Sequence, residues 1–266
     1  MSDHRLGFVR AGFAAGRQLS CTEGVCLARR RFFVERTDPG RAVVPGEQAH
    51  HLHNVLRLQP GQIFELSDTR QLYLGRVIAS LPGEVTFAIE KELPAGPQPP
   101  EVTLLGAIFK FDRYEWMIEK ATELGAARII PVITSRTDPK LAAAAQKRME
   151  RWRRIAFEAA QQSRRVAPPE LPQPVALDSA LAAAPEGRRW ILDEGLEPAS
   201  LNRLGPARDR ASVLLIGPEG GWTEGERKMA HQCGFLPASL GPLILRAETA
   251  AIAALALLLL PAASDF

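Results

Sequence analysis

The chain has 266 residues, a formal net charge of +3, 46% hydrophobic residues and 24% charged ones. This is the balance of a soluble globular protein, long enough for one large domain or two ordinary ones. The mild net charge does not by itself argue for a polyanionic partner, and the three cysteines, Cys21, Cys26 and Cys233, are too few for a disulfide framework.

Residues 1–28 show no hydrophobic period and no long apolar centre, so they read as a poorly ordered extension and not as a secretory signal. Cys21 and Cys26 lack a second ligand pair at zinc spacing and read as reduced thiols of a cytosolic protein. The first patterned segment opens with "RRRFFVE". Short β-type runs follow, "QIFELSD", "YLGRVIAS" and "EVTFAIEKEL", separated by polar or Pro-Gly turns. One helix, "GEQAHHLHNVLRL", interrupts them, with Ala49, Leu52, Val55 and Leu56 on one face. Strands with one helix over residues 29–93 predict a small β-barrel domain. His50, His51 and His53 beside Glu47 have no HExxH spacing; Glu47 and His51, four apart, predict a helix-surface pair, and no metal is expected.

Residues 94–101 carry most of a proline-rich stretch, "LPAGPQPPE", and form the expected linker. Residues 102–262 then alternate strands and helices, which predicts an α/β domain with a mostly parallel, buried sheet. "VTLLGAIF" reads as a strand. "RYEWMIEKATELG" reads as a helix with Tyr114, Met117, Ile118, Ala121 and Leu124 on one stripe and Gly125 ending it. "ARIIPVIT" is a strand, 140–163 a long helix, "RWILDE" and "SVLLIG" strands, and "LPASL" a short one. "AAIAALALLLL", residues 250–260, is too short for a membrane span of roughly 20 residues and reads as a core or interface helix.

The helix at 140–163 and its end carry eight basic residues between Lys140 and Arg165 against two acidic ones, Glu150 and Glu158. A local concentration of this kind is the electrostatic footprint of a nucleic-acid partner; a solvated helix face is the alternative. Arg29, Arg30 and Arg31 form a second cluster, on the barrel side.

"LLIGPEGGWTEGE", residues 214–226, lies between a strand and a helix, with Thr223 as N-cap and Glu226 three residues on as a capping box. The loop therefore sits at the carboxyl end of a parallel strand, where open α/β sheets bind ligands. It is neither a GxGxxG dinucleotide fingerprint nor a phosphate-binding P-loop. A plain tight turn and a ligand loop remain open for it alone. "SLGPLILRAETAAIAAL", residues 239–255, repeats the arrangement: a strand end, Gly241-Pro242 and a helix start. Two such loops at neighbouring strand ends can form one pocket of backbone N–H and C=O groups.

These two motifs together closely resemble the SPOUT superfamily of RNA methyltransferases. The nearer resemblance is to the ribosomal RNA small subunit methyltransferase E family, which methylates N3 of a uridine in bacterial 16S rRNA. "RRRFFVE", "AHHLHNVLRL", "EWMIEKATELGAARIIPVITSR" and "RWRRIAFEAAQQSRR" match it too, so the resemblance runs from about Ala28 to Leu260, with residues 1–28 a departure. It implies a PUA-like RNA-binding barrel followed by a SPOUT domain with a C-terminal trefoil knot, a cytoplasmic homodimer with no membrane association, and 16S rRNA in the small ribosomal subunit as substrate. It implies S-adenosylmethionine as cofactor, held by Leu192 and Asp193 (to Glu194) after one strand, by Ile216, Gly217, Pro218, Glu219, Gly220 and Gly221 after the next, and by Leu240, Gly241, Leu245 and Arg246 in the third loop. Arg246 is the expected stabiliser of the uracil anion, with a salt bridge to Glu248 or to a partner chain as its other reading. Glu219 is the expected base, with compensation of the helix dipole as its other reading. Arg29, Arg30, Arg31, Lys110, Arg113, Arg151, Arg154, Gln162 and Arg165 are the expected RNA contacts. A SPOUT enzyme acting on another nucleotide and a non-catalytic RNA binder are the alternatives; the intact pair of glycine loops speaks against the latter.

Overall fold

The computed structural model describes residues 31–94, 100–193 and 210–260. The 1–28 extension with Cys21 and Cys26, Arg29, Arg30, the middle of the linker and Glu194 lie outside the described residues. Cys233 is a free, half-buried thiol.

The N-terminal unit contains β1 (Arg31–Phe33), β2 (Glu35–Asp38), β3 (Arg41–Pro45), α1 (Gly46–Asn54), β4 (Ile63–Ser67), β5 (Leu72–Leu81) and β6 (Glu84–Leu93). The strands form one sheet in the order β1-β4-β5-β6-β3-β2, with only the β1–β4 pair parallel. Its two edge strands are consecutive in the chain and separated by Val34 alone. A single residue spans only about 3.8 Å between Cα atoms, so the sheet must curl until its edges meet. Phe32, Phe64 and Phe87 fill the interior, with ring centroids 5.1 Å apart for Phe32–Phe64 and 6.5 Å for Phe32–Phe87. Alternating residues of β3 and β5 face this core.

The expected face of α1 is corrected at one position. Ala49 and Leu52 are buried and Leu56 packs on the core, but Val55 caps the helix and is 63% exposed. The expected Glu47–His51 pair is also absent among the described residues. His50 instead meets Asn54 at 3.0 Å, and His53 meets Ser80 Oγ at 3.1 Å.

The second unit contains β7 (Val102–Ala107), α2 (Phe111–Leu124), β8 (Arg128–Ile133), α3 (Pro139–Gln162), β9 (Val175–Ala176), α4 (Leu177–Ala182), β10 (Arg188–Leu192), β11 (Ser212–Ile216), α5 (Glu224–Gln232), β12 (Leu236–Ala238) and α6 (Ala247–Leu259). All its strands run parallel in the order β12-β10-β11-β7-β8-β9. From β7 the chain first builds outward through β8 and β9, then crosses to the other side for β10, β11 and β12. This reversal is a topological switch point. β7 and β11 are buried along their whole length, as a sheet covered on both faces requires.

One face is covered by α2, α3 and α6, the other by α4 and α5. The stripe of α2 is as expected: Tyr114, Met117, Ile118 and Ala121 are buried, Leu124 packs beside them, and Gly125 ends the helix at φ 109°. On α3 the buried stripe centres on Trp152, whose ring lies 4.8 Å from that of Tyr114 and 5.7 Å from that of Phe111. The two units meet at the end of α3. Phe33 packs on Phe157 at 4.9 Å, Ser67 Oγ donates to the Val166 carbonyl at 2.5 Å, and Glu65 pairs with both Arg31 and Arg164.

No helix among the described residues is long and apolar enough to cross a membrane.

Trp152 is fully buried and its indole N–H has no acceptor among the described residues. Trp152→Ala should cost about 3–5 kcal/mol in urea unfolding through the cavity it opens. Trp152→Phe should cost much less, because it removes the unpaired N–H and keeps an aromatic ring.

Candidate active site

The carboxyl ends of β10, β11 and β12 lie side by side, and each runs into one of the three expected loops. After β10, the Leu192 carbonyl accepts a hydrogen bond from Trp222 Nε1 at 2.9 Å. Asp193 is buried and gripped by Arg227 of α5 through contacts of 2.6 and 3.2 Å. Its backbone N–H donates to the Ala238 carbonyl of β12.

The glycines of the second loop have distinct reasons. A Cβ on Gly217 would stand 3.0 Å from the Trp222 ring, so this glycine lets the indole lie flat against the strand end. The Gly221 N–H closes a turn onto the Pro218 carbonyl at 2.9 Å, and its φ of 69° is one that side chains disfavour. Gly220 lies against Arg136, which donates to the Gly220 carbonyl at 2.6 Å. Two of the three glycines thus serve the turn itself, which refines the reading of this backbone as a bare ligand surface.

The capping box forms as expected between Thr223 and Glu226. Glu226 does more than cap, for its Oε1 accepts from the Ser135 N–H at 2.8 Å and pins the loop after β8 to α5. Burial pushes its carboxyl up, but the N–H donors of Thr223 and Ser135 outweigh burial and hold it below its ordinary value.

In the third loop Leu240 packs on the core, Gly241 has φ 114°, and Leu243 and Ile244 are 78% and 83% exposed. Leu245 is half-buried. Arg246 is the N-cap of α6, exposed, and makes no ion pair among the described residues. The salt bridge considered between Arg246 and Glu248 is not formed. The cation beside Glu248 is Arg113 of α2, at 3.8 Å, and Arg113 also pairs with Glu219 at 2.7 Å.

Two of the expected RNA contacts, Lys110 and Gln162, are exposed at opposite ends of α2 and α3. Arg31 is held by Glu65. Arg151 pairs with the largely buried Glu115 at 2.8 Å, and Arg154 with exposed Glu158 at 3.7 Å. Arg165 is committed to the protein: it donates to the Thr122 and Ala126 carbonyls at the end of α2, and burial pushes its guanidinium down to about 10. It therefore caps a helix instead of facing an open cleft. No His, Cys, Asp and Glu cluster among the described residues could hold a metal ion. Trp222, Arg136, Arg227 and Glu248 were not among the expected site residues. Trp222 and Glu248 lie inside the two loop motifs, but their roles depend on partners 30 or more positions away.

Residues 97–259 match the model of the RNA methyltransferase domain, and residues 44–90 that of the RNA methyltransferase PUA domain. A Bacillus subtilis ribosomal RNA small subunit methyltransferase E is 32% identical over 85% of this chain and 94% of its own length. A Synechocystis protein of the same name is 36% identical over 79% of this chain and 69% of its own length. The chain belongs to the ribosomal RNA small subunit methyltransferase E family. A Neisseria gonorrhoeae structure of a small subunit methyltransferase E, bound to S-adenosyl methionine, superposes with a TM-score of 0.73 at 32% identity, covering 85% of this chain and 95% of that one. A Legionella pneumophila methyltransferase in complex with the same cofactor gives 0.76 at 33% identity, with the same coverage. The family fold is the α/β architecture described above, a PUA-like barrel followed by a SPOUT domain.

Glu226 links the fold of this site to pH. A carboxyl held below its ordinary value of 4.5 contributes stability that is complete above that value and is lost as pH falls through its lower folded value. Glu226→Gln should lower unfolding stability by about 1–3 kcal/mol at neutral pH. In urea melts across a pH series, the gap to wild type should close on acidification below 4.5.

Proposed function

We propose that this chain uses S-adenosylmethionine to methylate N3 of a uridine in 16S rRNA within the small ribosomal subunit. The observation that carries the reading is the site itself: three loops at adjacent strand ends on a switch-point edge, tied together by the Trp222–Leu192 hydrogen bond. The methyltransferase relatives at 32–33% identity that hold the cofactor share this architecture.

The residues present fit the cofactor. Gly220 and Gly241 offer backbone without a side chain beside strand ends already fixed by Asp193–Arg227 and Thr223–Glu226. Leu192, Asp193, Ile216 to Gly221, Leu240, Gly241, Leu245 and Arg246 would hold it. When bound, it supplies an electrophilic methyl group on a sulfonium.

The chain's own residues must deliver the nucleophile. N3 of uracil carries a proton at neutral pH and attacks only as that proton leaves. Alignment of N3 behind the methyl group supplies much of the acceleration, up to about 7–11 kcal/mol in favourable cases. Arg246, exposed at the mouth of α6 and without an ion pair among the described residues, hydrogen-bonds a uracil oxygen as negative charge grows there. Glu219 takes the N3 proton; the N–H electron pair forms the new N–CH3 bond while the S–CH3 pair stays on sulfur. Exposed Lys110, Arg151, Arg154 and Gln162 face the RNA, and the barrel extends that surface.

The reading includes a trefoil knot, supported by α6 returning past β12 to pack on α2, β7 and β11. It includes a homodimer, supported by exposed Leu257 on α6, Leu260 just past its end and Trp116 on α2, at 42%, 46% and 45%. It places the protein in the cytoplasm, where ribosomal subunits mature.

Incubation with labelled cofactor and small subunits from a strain lacking the modification should place the label on N3 of one uridine. Label elsewhere, or none, would refute the reading. In single-turnover assays Arg246→Ala should lose about 10²–10³ in rate, as for removal of one preorganised donor, while keeping most cofactor affinity. A wild-type rate would make Arg246 structural.

A further inference from the structure

Glu248 lies in the first turn of α6, its side chain 7% exposed. Its Oε2 has no hydrogen-bond partner among the described residues, and its Oε1 stands 3.8 Å from Arg113 Nε. Arg113 makes its close contact elsewhere, from Nη1 to Glu219 at 2.7 Å. The Glu219 side chain is 42% exposed. One guanidinium on α2 therefore stands between an exposed carboxylate of the second loop and a buried carboxylate at the start of α6. Its Nη2 makes no hydrogen bond among the described residues.

The two carboxylates lose different things when the guanidinium leaves. Glu219 regains water, and an exposed pair of this kind contributes little. Glu248 would become a buried charge facing no other cation among the described residues, which is expensive. Arg113 must therefore release Glu219 before it releases Glu248. An RNA phosphate is a strong, forked partner for a guanidinium and competes with a solvated carboxylate.

We propose that Glu248 is a positioning residue that anchors Arg113, and that Arg113 exchanges Glu219 for a phosphate of the incoming RNA. The proposal rests on the methyltransferase reading and deepens it. In the free protein Glu219 stands in for the substrate's anion. Arrival of RNA displaces it and leaves its carboxylate free to accept the N3 proton. Binding of the correct strand and readiness of the base thus become one event.

The test is filter binding of the full chain to hypomethylated small ribosomal subunits over a salt series, with S-adenosylhomocysteine present, beside single-turnover rates. Glu219→Gln should bind about two- to fivefold more tightly, the scale of one exposed ion pair, yet turn over more slowly. Arg113→Gln should bind more weakly and lower the slope of log K against log[salt] by about 0.7–0.9. Glu248→Gln should reproduce that loss of slope although it touches no RNA. A merely structural Glu248 would lower the melting temperature and leave the slope of the folded fraction unchanged. Glu219→Gln that binds no more tightly than wild type overturns the exchange, and does so even if Glu248→Gln fails to fold. An unchanged slope in folded Glu248→Gln overturns the anchor. Wild-type protein that neither binds subunits nor transfers a methyl group overturns the methyltransferase reading, and the proposal with it.

Discussion

The hydrogen bond from the Trp222 indole to the Leu192 carbonyl is the constraint on which the site depends. A buried indole N–H usually finds an acceptor. The one it finds ends β10, while Trp222 itself belongs to the loop after β11. The ring lies against Gly217, where a Cβ would crowd it at 3.0 Å, so glycine leaves the room that the indole occupies. Neighbouring contacts extend the same tie. Asp193 is fastened to α5 through Arg227, and the loop after β8 is fastened to α5 through Ser135 and Glu226. Loops from three parallel strands are thereby held to one helix.

Such bracing is what a binding site made of backbone demands. Side chains can adapt by changing rotamer, but backbone N–H and C=O groups recognise a ligand only where the chain is fixed in advance. The charges at the mouth follow a different rule. Arg113 and Glu219 are paired on partly exposed ground and Arg246 makes no ion pair among the described residues, so these groups can change partners when a polyanion arrives. The interior of the site is held by buried, satisfied bonds, and its rim by weak, exchangeable ones.

Much of this was legible in the sequence because local pattern and tertiary environment agree. The stripe of α2, Gly125 at its end and the Thr223–Glu226 capping box all sit where the periodicities put them. Some of the elements that escaped detection have no pattern to read, whereas β3 alternates over only five residues. All four residues of β2 are exposed, so no alternation marks it, and its turn is held by the Asp38 side chain accepting from Gly40. β9 and α4 are too short to show a period. Charge runs reveal less of their surroundings than apolar ones. The basic stretch from Lys140 to Arg165 looks like a uniform polyanion surface, yet Arg151 is braced by Glu115, Arg164 by Glu65 and Arg165 by carbonyls of α2. A sequence shows the cations but not the distant groups that neutralise them. The same holds for Glu248: its motif is visible, but its Arg113 neighbour comes from another helix.

The most direct test of the braced-backbone site is calorimetric titration of S-adenosylmethionine into Trp222→Phe. The substitution keeps an aromatic ring near Gly217 and removes the donor to Leu192 together with part of the indole. Affinity should fall by about tenfold or more, the scale of one lost hydrogen bond with its buried acceptor unpaired, while circular dichroism shows the fold retained. Wild-type affinity in the folded variant would contradict the dependence of the cofactor loops on that bond.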